Sequence, residues 1–224
     1  ECRERIEERG YDSAGDADPD RGKAGPIKTV RQCGKIRSHE SALEEVELQG
    51  RNGIGHTRWA THGRPSRENA HPRRDPSGQL VVVHNGIIEN YLELRHRLGD
   101  ASAESFASET DSEVIAHLIA HHFKGDLVAA VREAVKDLEG AYAIAVVHRE
   151  APDLVVGARR DSPLVVGLGK QSNYLASDVP ALLPWTRDIV YLEDGDVVAI
   201  RPDGIEVSDV AGNALSRPVT EISW

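Results

Sequence analysis

The sequence predicts an α+β fold in which helices occupy the middle of the chain and strands lie on either side. Three observations carry this prediction in the 224 residues. An apolar run at 80–83 is typical of a buried strand. Two stripes with helical spacing follow between 110 and 138. After residue 140, short β-type runs alternate with turn residues. The simplest arrangement is two helices packed on a mixed or antiparallel sheet.

The first third of the chain carries the weakest signals. Residues 1–9 are charged and compatible with a helix that Gly10 closes. Residues 15–26 are rich in Asp, Gly and Pro and indicate a loop. We expect a short strand at 27–33 and a short helix at 40–48.

The middle of the chain predicts one strand and three helices. After the run at 80–83, residues 87–98 favour a helix. The next helix is expected to start at Thr110, because Glu113 follows at the spacing of a capping box. A third helix should begin after Asp126 and end at Gly140.

The last third predicts strands joined by tight turns. The runs 141–148, 153–158, 164–168 and 173–177 are of β type. Asp194–Gly195 and Asp203–Gly204 are sequences of hairpin turns.

Composition excludes several classes of protein. A net charge of −10 disfavours a broad nucleic-acid surface, no stretch approaches the roughly 18 apolar residues of a membrane span, and no secretory signal is visible. With only two cysteines we expect a reduced, cytoplasmic setting. The chain starts at Glu1 and has no methionine, so we expect a fragment whose true beginning is missing.

Three segments, 53–63, 81–90 and 107–113, concentrate polar residues. In the first, Arg58 offers a planar fork that suits a carboxylate; the alternative, which composition alone favours, is a surface strand with a salt-bridged arginine. In the second, Asn85 and Gly86 either form a hairpin turn or aim an amide and a backbone N–H at a developing oxyanion. In the third, Asp111 either complements a helix dipole or grips a substrate ammonium.

The histidines do not predict a metal site. His56, His62, His71 and His84 fall within one stretch, but neither an HExxH pattern nor a Cys–His ligand set is present. Another pair, His117 and His121, borders an apolar stripe, as exposed or half-buried helix residues do. Gly167–Gly169 lacks the third glycine of a dinucleotide fingerprint. We therefore expect no metal and no cofactor.

At these segments the sequence resembles the glutaminase domain of the glutamine–fructose-6-phosphate aminotransferases, also called glucosamine-6-phosphate synthases, which are class II glutamine amidotransferases. The resemblance runs in order along nearly the whole chain, through residues 10–15, 53–63, 69–72, 82–90, 107–117, 162–169, 176–178 and 191–196. It implies an N-terminal-nucleophile hydrolase fold, a four-layer αββα sandwich, over residues 1–224.

The resemblance also implies roles for individual residues. Arg58 would hold the α-carboxylate of glutamine and Asp111 its α-ammonium, while Asn85 and Gly86 would form the oxyanion hole. The pocket would also be lined or supported by Trp59, Thr61, His62 and Arg9. Ammonia would pass to fructose 6-phosphate in an isomerase domain that this chain does not contain, and the full-length family is expected to be homodimeric.

The chain departs from the family in two places. Family members begin with a cysteine nucleophile whose own α-amine is the base, whereas Cys2 lies in a charged, helix-compatible stretch and Cys33 is expected to be a packing residue. Where the family has an apolar strand, residues 16–21 are acidic, so we expect that strand to be lost or displaced. We therefore predict that the chain is poorly folded or inactive. The alternative function is a glutamine-binding pseudoenzyme or regulatory module.

Overall fold

The computed structural model describes residues 12–19, 26–34, 36–44, 46, 50–58, 64, 66–99 and 106–223. Within them the helices are α1 Ile36–Glu44, α2 Tyr91–Gly99, α3 Ser112–His122 and α4 Leu127–Lys136. The strands are β1 Ser13–Asp18, β2 Lys28–Cys33, β3 Ile54–Arg58, β4 Arg73–Arg74, β5 Leu80–Ile88, β6 Gly140–His148, β7 Val155–Arg160, β8 Val165–Leu168, β9 Asn173–Ala176, β10 Asp188–Tyr191, β11 Val197–Arg201, β12 Gly204–Ser208, β13 Ala214–Leu215 and β14 Val219–Glu221.

A seven-stranded antiparallel sheet forms the centre of the molecule, in the order β13-β12-β11-β7-β6-β5-β4. Helices α2, α3 and α4 cover one of its faces. The core between them contains fully buried residues from both layers, such as Leu80 and Val82 from β5 and Ile115 and Ile119 from α3. This apolar layer is the largest buried cluster in the described part of the chain.

Two smaller antiparallel sheets cover the opposite face. The three-stranded sheet, β2-β1-β3, packs Ala17 and Ile54 against Val81 and Val83 of β5. The four-stranded sheet, β14-β10-β8-β9, packs Val166 against Val198 of β11 and its neighbours.

Helix α1 lies outside the three-stranded sheet. Its His39 is 2.8 Å from the carboxylate of Asp16 on β1, on the side of the strand opposite to Ala17. Helices, the large sheet, the small sheets and α1 therefore form successive layers, which confirms the αββα sandwich. The simpler expectation of two helices on one sheet describes only the helical side of the large sheet and omits the two smaller sheets.

Residues 13–18 form a strand, so the expectation of a loop is wrong for residues 15–18 and that of a lost strand is wrong for residues 16–18; residues 20–25 lie outside the described residues. Hydrogen-bonded ladders on both sides hold β1 between β2 and β3. Its acidic side chains have partners: Asp16 meets His39, and Asp18 accepts a 2.6 Å hydrogen bond from the backbone N–H of Gly50. Pairing on both edges outweighs the low strand propensity of aspartate.

Three helices begin at residues other than the expected ones. Helix α2 starts at Tyr91 rather than at 87, because β5 continues to Ile88. The capping box at Thr110 is wrong: the Glu113 carboxylate accepts from the backbone N–H groups of Ala107 and Ser108 instead, and α3 begins after Asp111. Helix α1 starts four residues earlier than expected.

Helix α4 begins as expected, because Asp126 caps it by accepting from Ala129 N. It ends at Lys136 rather than at Gly140, which is the first residue of β6. The four β-type runs after residue 140 are confirmed as β6, β7, β8 and β9, and the strand expected at 27–33 is β2.

The two expected hairpins differ. Asp203–Gly204 lies at a hairpin in which β11 and β12 pair. Asp194–Gly195 instead connects β10 to β11, which belong to different sheets, so a hairpin there is wrong. None of the helices in the described ranges is long and apolar enough to cross a bilayer.

Candidate active site

Asn85 and Gly86 lie inside a strand, so the hairpin interpretation of this pair is wrong. In β5 they pair with Ala143 and Tyr142 of β6. Gly86 has a φ of +122°, and a Cβ there would lie 2.1 Å from the carbonyl oxygen of Ala141. Only glycine fits this backbone. The backbone of Gly86 therefore packs directly against that of Ala141 in the neighbouring strand.

Strand alternation sends the side chains of β5 to opposite faces. Val81 and Val83 face the three-stranded sheet, and Asn85 follows on the same side. Its Oδ1 lies 2.8 Å from Nε2 of His56 on β3. His84 points to the helical side, where its Nδ1 is 2.9 Å from the hydroxyl of Ser112 on α3.

A cavity of about 920 Å³ opens next to Asn85. We call this cavity the central cleft. It is lined by β3, the edge strand of the three-stranded sheet, and by β9, the edge strand of the four-stranded sheet. Its wall includes His56, Asn85, Ser162 and the apolar side chains Val83 and Leu175. The volume suits a small organic ligand.

Asp111 is buried at the start of α3, with 4% of its surface exposed. Its Oδ2 accepts a 2.9 Å hydrogen bond from the backbone N–H of Ile88, and its Oδ1 is 3.3 Å from the hydroxyl of Ser112. These contacts join the carboxylate to the end of β5 that carries Asn85. Each carboxylate oxygen retains capacity for a further donor.

Arg58 ends β3 and is 5% exposed, so the surface position that the alternative interpretation assumed is wrong. Burial lowers the pKa of Arg58, and the negative charges of Asp111 and Asp12 raise it in partial compensation. The guanidinium and the Asp111 carboxylate thus lie within electrostatic reach of each other. Neither residue belongs to the described lining of the central cleft, so the charged pair lies beside that space rather than in its wall.

Three histidines lie near Asn85 along these strands: His71 and His84 are buried, and His56 is half-buried. Burial lowers the pKa of His56 to about 4, and burial together with the charges of neighbouring groups lowers that of His71 well below its usual value. Burial also lowers the pKa of His84. The rings of His56 and His71 stack with centroids 4.5 Å apart. All three are neutral near pH 7 and act as hydrogen-bonding groups rather than as charges.

Two expectations outside the cleft need correction. Cys33, expected to pack in the interior, is exposed at the end of β2. His117, expected to be at least half exposed, is buried and stacks on Phe106 at 4.1 Å. Within the described ranges, no cluster of three or more His, Cys, Asp and Glu side chains could hold a metal ion.

Several residues implied by the resemblance lie outside the described residues: Arg9, Trp59, Thr61 and His62, together with Cys2. The structure brings together Asn85, Gly86, Asp111 and Arg58. It adds His56 and Ser162, which were not predicted as site residues. Alternation along β3 could have found His56, because residues 54, 56 and 58 share one face of that strand.

Comparison with known proteins identifies the family to which the chain belongs. Residues 56–184 match the sequence family described as a glutamine amidotransferase domain. The chain is 50% identical over 220 residues to the glutamine–fructose-6-phosphate aminotransferase (isomerizing) of Thermus thermophilus, covering 98% of this chain and 36% of that protein. It is 48% identical to the Aquifex aeolicus protein of the same name, covering 99% of this chain and 37% of the relative.

The chain therefore spans just over a third of the length of these relatives, and it corresponds to their N-terminal glutaminase part. Among solved structures, the glutamine phosphoribosylpyrophosphate amidotransferase of B. subtilis matches with a TM-score of 0.74 at 24% identity, covering 95% of this chain and 46% of that one. A structure described as the allosteric regulatory enzyme of purine biosynthesis matches with a TM-score of 0.79 at 26% identity, with the same coverages. These similarities confirm the fold class.

Proposed function

Because the chain belongs to the family of glutamine amidotransferase domains, we propose that it binds glutamine between Arg58, Asp111 and Asn85, at the side of the central cleft, as the ammonia-supplying part of an aminotransferase. The observation that carries the proposal is the position of Asn85 and Gly86. They interrupt an apolar strand without interrupting its ladder, and the amide of Asn85 reaches the central cleft.

The family resemblance implies the roles, and the charges and hydrogen-bonding groups of the residues suit them. Arg58 supplies a planar cation for the α-carboxylate, and Asp111 supplies an anion for the α-ammonium. The Asn85 amide and the Gly86 N–H would stabilise the oxyanion that forms when the side-chain amide of glutamine is attacked. Trp59, Thr61, His62 and Arg9 complete the proposed pocket through the family resemblance alone.

The acceptor belongs to the same proposal. Relatives about 50% identical to this chain are named glutamine–fructose-6-phosphate aminotransferases, and the chain covers 36% of their length. Ammonia released here would pass to fructose 6-phosphate in an isomerase domain of the complete protein. We propose a cytoplasmic homodimer for that complete protein.

A second candidate function is glutamine binding without cleavage. The family reaction needs a cysteine nucleophile at the oxyanion hole. Of the described residues that line the central cleft, none is a cysteine, and Cys33 lies at the exposed end of β2. Cys2 lies outside the described residues, so a glutamine-binding pseudoenzyme or regulatory module stands as the second proposal, to be separated from the first by measuring ammonia release.

Calorimetric titration with glutamine tests the pocket that both candidates share. Arg58→Lys keeps the charge but loses the two-pronged geometry, so we expect about tenfold weaker binding. Asp111→Asn should weaken binding to a similar extent. Arg132→Lys is the matched control, because Arg132 bonds Ser208 on the helical side, at 2.8 Å, and it should leave the affinity unchanged. A folded chain that gives no heat at millimolar glutamine would contradict the pocket.

Ammonia release separates the two candidates. We expect no turnover above a buffer blank from the 224-residue chain, and glutamine-dependent release from the complete protein encoded by the gene. Release by the chain alone would refute its predicted inactivity. A complete protein that binds glutamine without releasing ammonia would favour the pseudoenzyme.

A further inference from the structure

We propose that His56 is a positioning residue that sets which end of the Asn85 amide faces the substrate. This inference rests on the proposed function, because it assigns a task to the oxyanion hole named above. His56 and Asn85 come from different sheets, β3 and β5, and meet at the wall of the central cleft.

The contact between the two side chains is directional. Nε2 of His56 lies 2.8 Å from Oδ1 of Asn85. A carbonyl oxygen only accepts hydrogen bonds, so the ring nitrogen must donate. With its oxygen held by His56, the amide turns its NH₂ group toward the other side, where an oxyanion needs a donor.

The opposite orientation would be harmful to the reaction. An asparagine amide rotated by half a turn exchanges its donor and its acceptor. Its oxygen would then face the developing negative charge and repel it. Fixing the orientation before the substrate arrives is the kind of preorganisation that oxyanion stabilisation depends on.

The donor role requires a hydrogen on Nε2 of a neutral ring. Burial keeps the pKa of His56 near 4, so the ring carries one hydrogen at neutral pH. Because Oδ1 of Asn85 accepts at Nε2, that hydrogen lies on Nε2 rather than on Nδ1. The inference therefore names one tautomer, which can be observed.

The ring of His56 is itself held in place. It stacks on His71 at 4.5 Å with an angle of 30° between the ring planes. His71 accepts a 3.2 Å hydrogen bond at Nδ1 from the backbone N–H of His84. Since His84 directly precedes Asn85, the contacts that hold the His56 ring start from the same strand, β5, that carries the Asn85 amide.

Two substitutions separate positioning from packing. His56→Phe keeps a ring to stack on His71 but has no donor. His56→Gln loses the ring but can donate from its amide at about the position of Nε2. In the complete protein encoded by the gene, we expect His56→Phe to lower kcat for ammonia release about 10–100-fold, with KM for glutamine within about twofold of the parent.

His56→Gln should recover kcat to within about threefold of the parent. An unchanged kcat in His56→Phe, or an equal loss in both variants, would overturn the inference, since packing alone would then explain the residue. A parallel rise in KM in His56→Phe would also overturn it, because it would place His56 in ground-state binding.

The tautomer provides a readout that does not depend on turnover. Nitrogen-15 NMR of histidine-labelled protein should show the hydrogen of His56 on Nε2, and a hydrogen on Nδ1 would overturn the inference. Failure of the proposed function looks different: the parent would then not bind glutamine, whatever the tautomer of His56.

Discussion

Two of the three sheets that line the central cleft differ in what holds them together. The seven-stranded sheet and its helices enclose an apolar layer in which Leu80, Val82 and Ile115 are fully buried. The three-stranded sheet is thin, and its outer side is joined to α1 through the polar pair of Asp16 and His39. The first region can supply most of the free energy of folding, because buried apolar area is the dominant favourable term.

The difference shows where polar groups for chemistry can be placed. His56 and Arg58 come from the thin sheet, whereas Asn85 is a polar residue at the end of the apolar strand β5. The proposed site therefore lies at the boundary, where a rigid strand presents its amide to groups from a more polar layer. Burying charges within the apolar layer itself would be far more costly.

The largest expected effect comes from truncating one isoleucine in each region. Ile115→Ala removes a fully buried side chain between α3 and the large sheet, and should lower the free energy of unfolding by about 4 kcal/mol. Ile54→Ala acts beside the existing cavity, so less new void forms, and about 2 kcal/mol is expected. Urea unfolding of both variants measures the difference; equal losses would contradict the contrast between the regions.

A smaller effect concerns the buried carboxylate on the helical side. Burial opposes ionisation of Glu113, but the nearby imidazole of His117 and hydrogen bonds from Ser108 and Ala107 outweigh it and lower its pKa to about 2. Because the folded pKa lies below the ordinary glutamate pKa of 4.5, this stabilisation is present above about pH 4.5 and is lost as pH falls toward 2. Its size is at most about 3 kcal/mol.

Glu113→Gln should therefore flatten the fall in unfolding free energy between about pH 5 and pH 2. The exposed Glu93 on α2 offers a matched control, since Glu93→Gln should leave the pH profile as it is. If the unfolding free energy of Glu113→Gln fell as steeply with falling pH as that of the parent, Glu113 would not be the cause of the fall.

The smallest net change is expected from exchanging the polar pair of the thin sheet. Asp16→Ala leaves the buried ring of His39 without its carboxylate and should cost about 1–3 kcal/mol. The double variant Asp16→Val with His39→Leu replaces both partners by apolar groups, so its cost should be below about 1 kcal/mol. Thermal or urea unfolding of the full cycle measures the coupling. Additive losses would show that the two residues stabilise the sheet independently.

The elements most readily predicted from sequence are those whose local pattern agrees with their tertiary setting. Helices α3 and α4 and strands β6 to β9 follow from periodicity, because each buries one regular face. Strand β1 could not be predicted in this way: its two aspartates have low strand propensity, and their partners, His39 and Gly50, lie more than twenty residues away.

The site shows the same limit. Asn85–Gly86 has the local sequence of a turn, and only the register with β6 keeps the pair inside a strand. Arg58 and Asp111 were predicted as partners of one ligand through the family resemblance, and the structure brings their charges within reach of each other. His56 was weighed only as a metal ligand, since its bond to Asn85 depends on how two sheets stack.

The contact of Gly86 with the carbonyl of Ala141 bears on how a site of this kind can be redesigned. Not even a methyl group can be added at this point without pushing two neighbouring strands apart. Engineers who want the protein to accept a bulkier amide would therefore have to widen the opposite wall and leave this corner untouched.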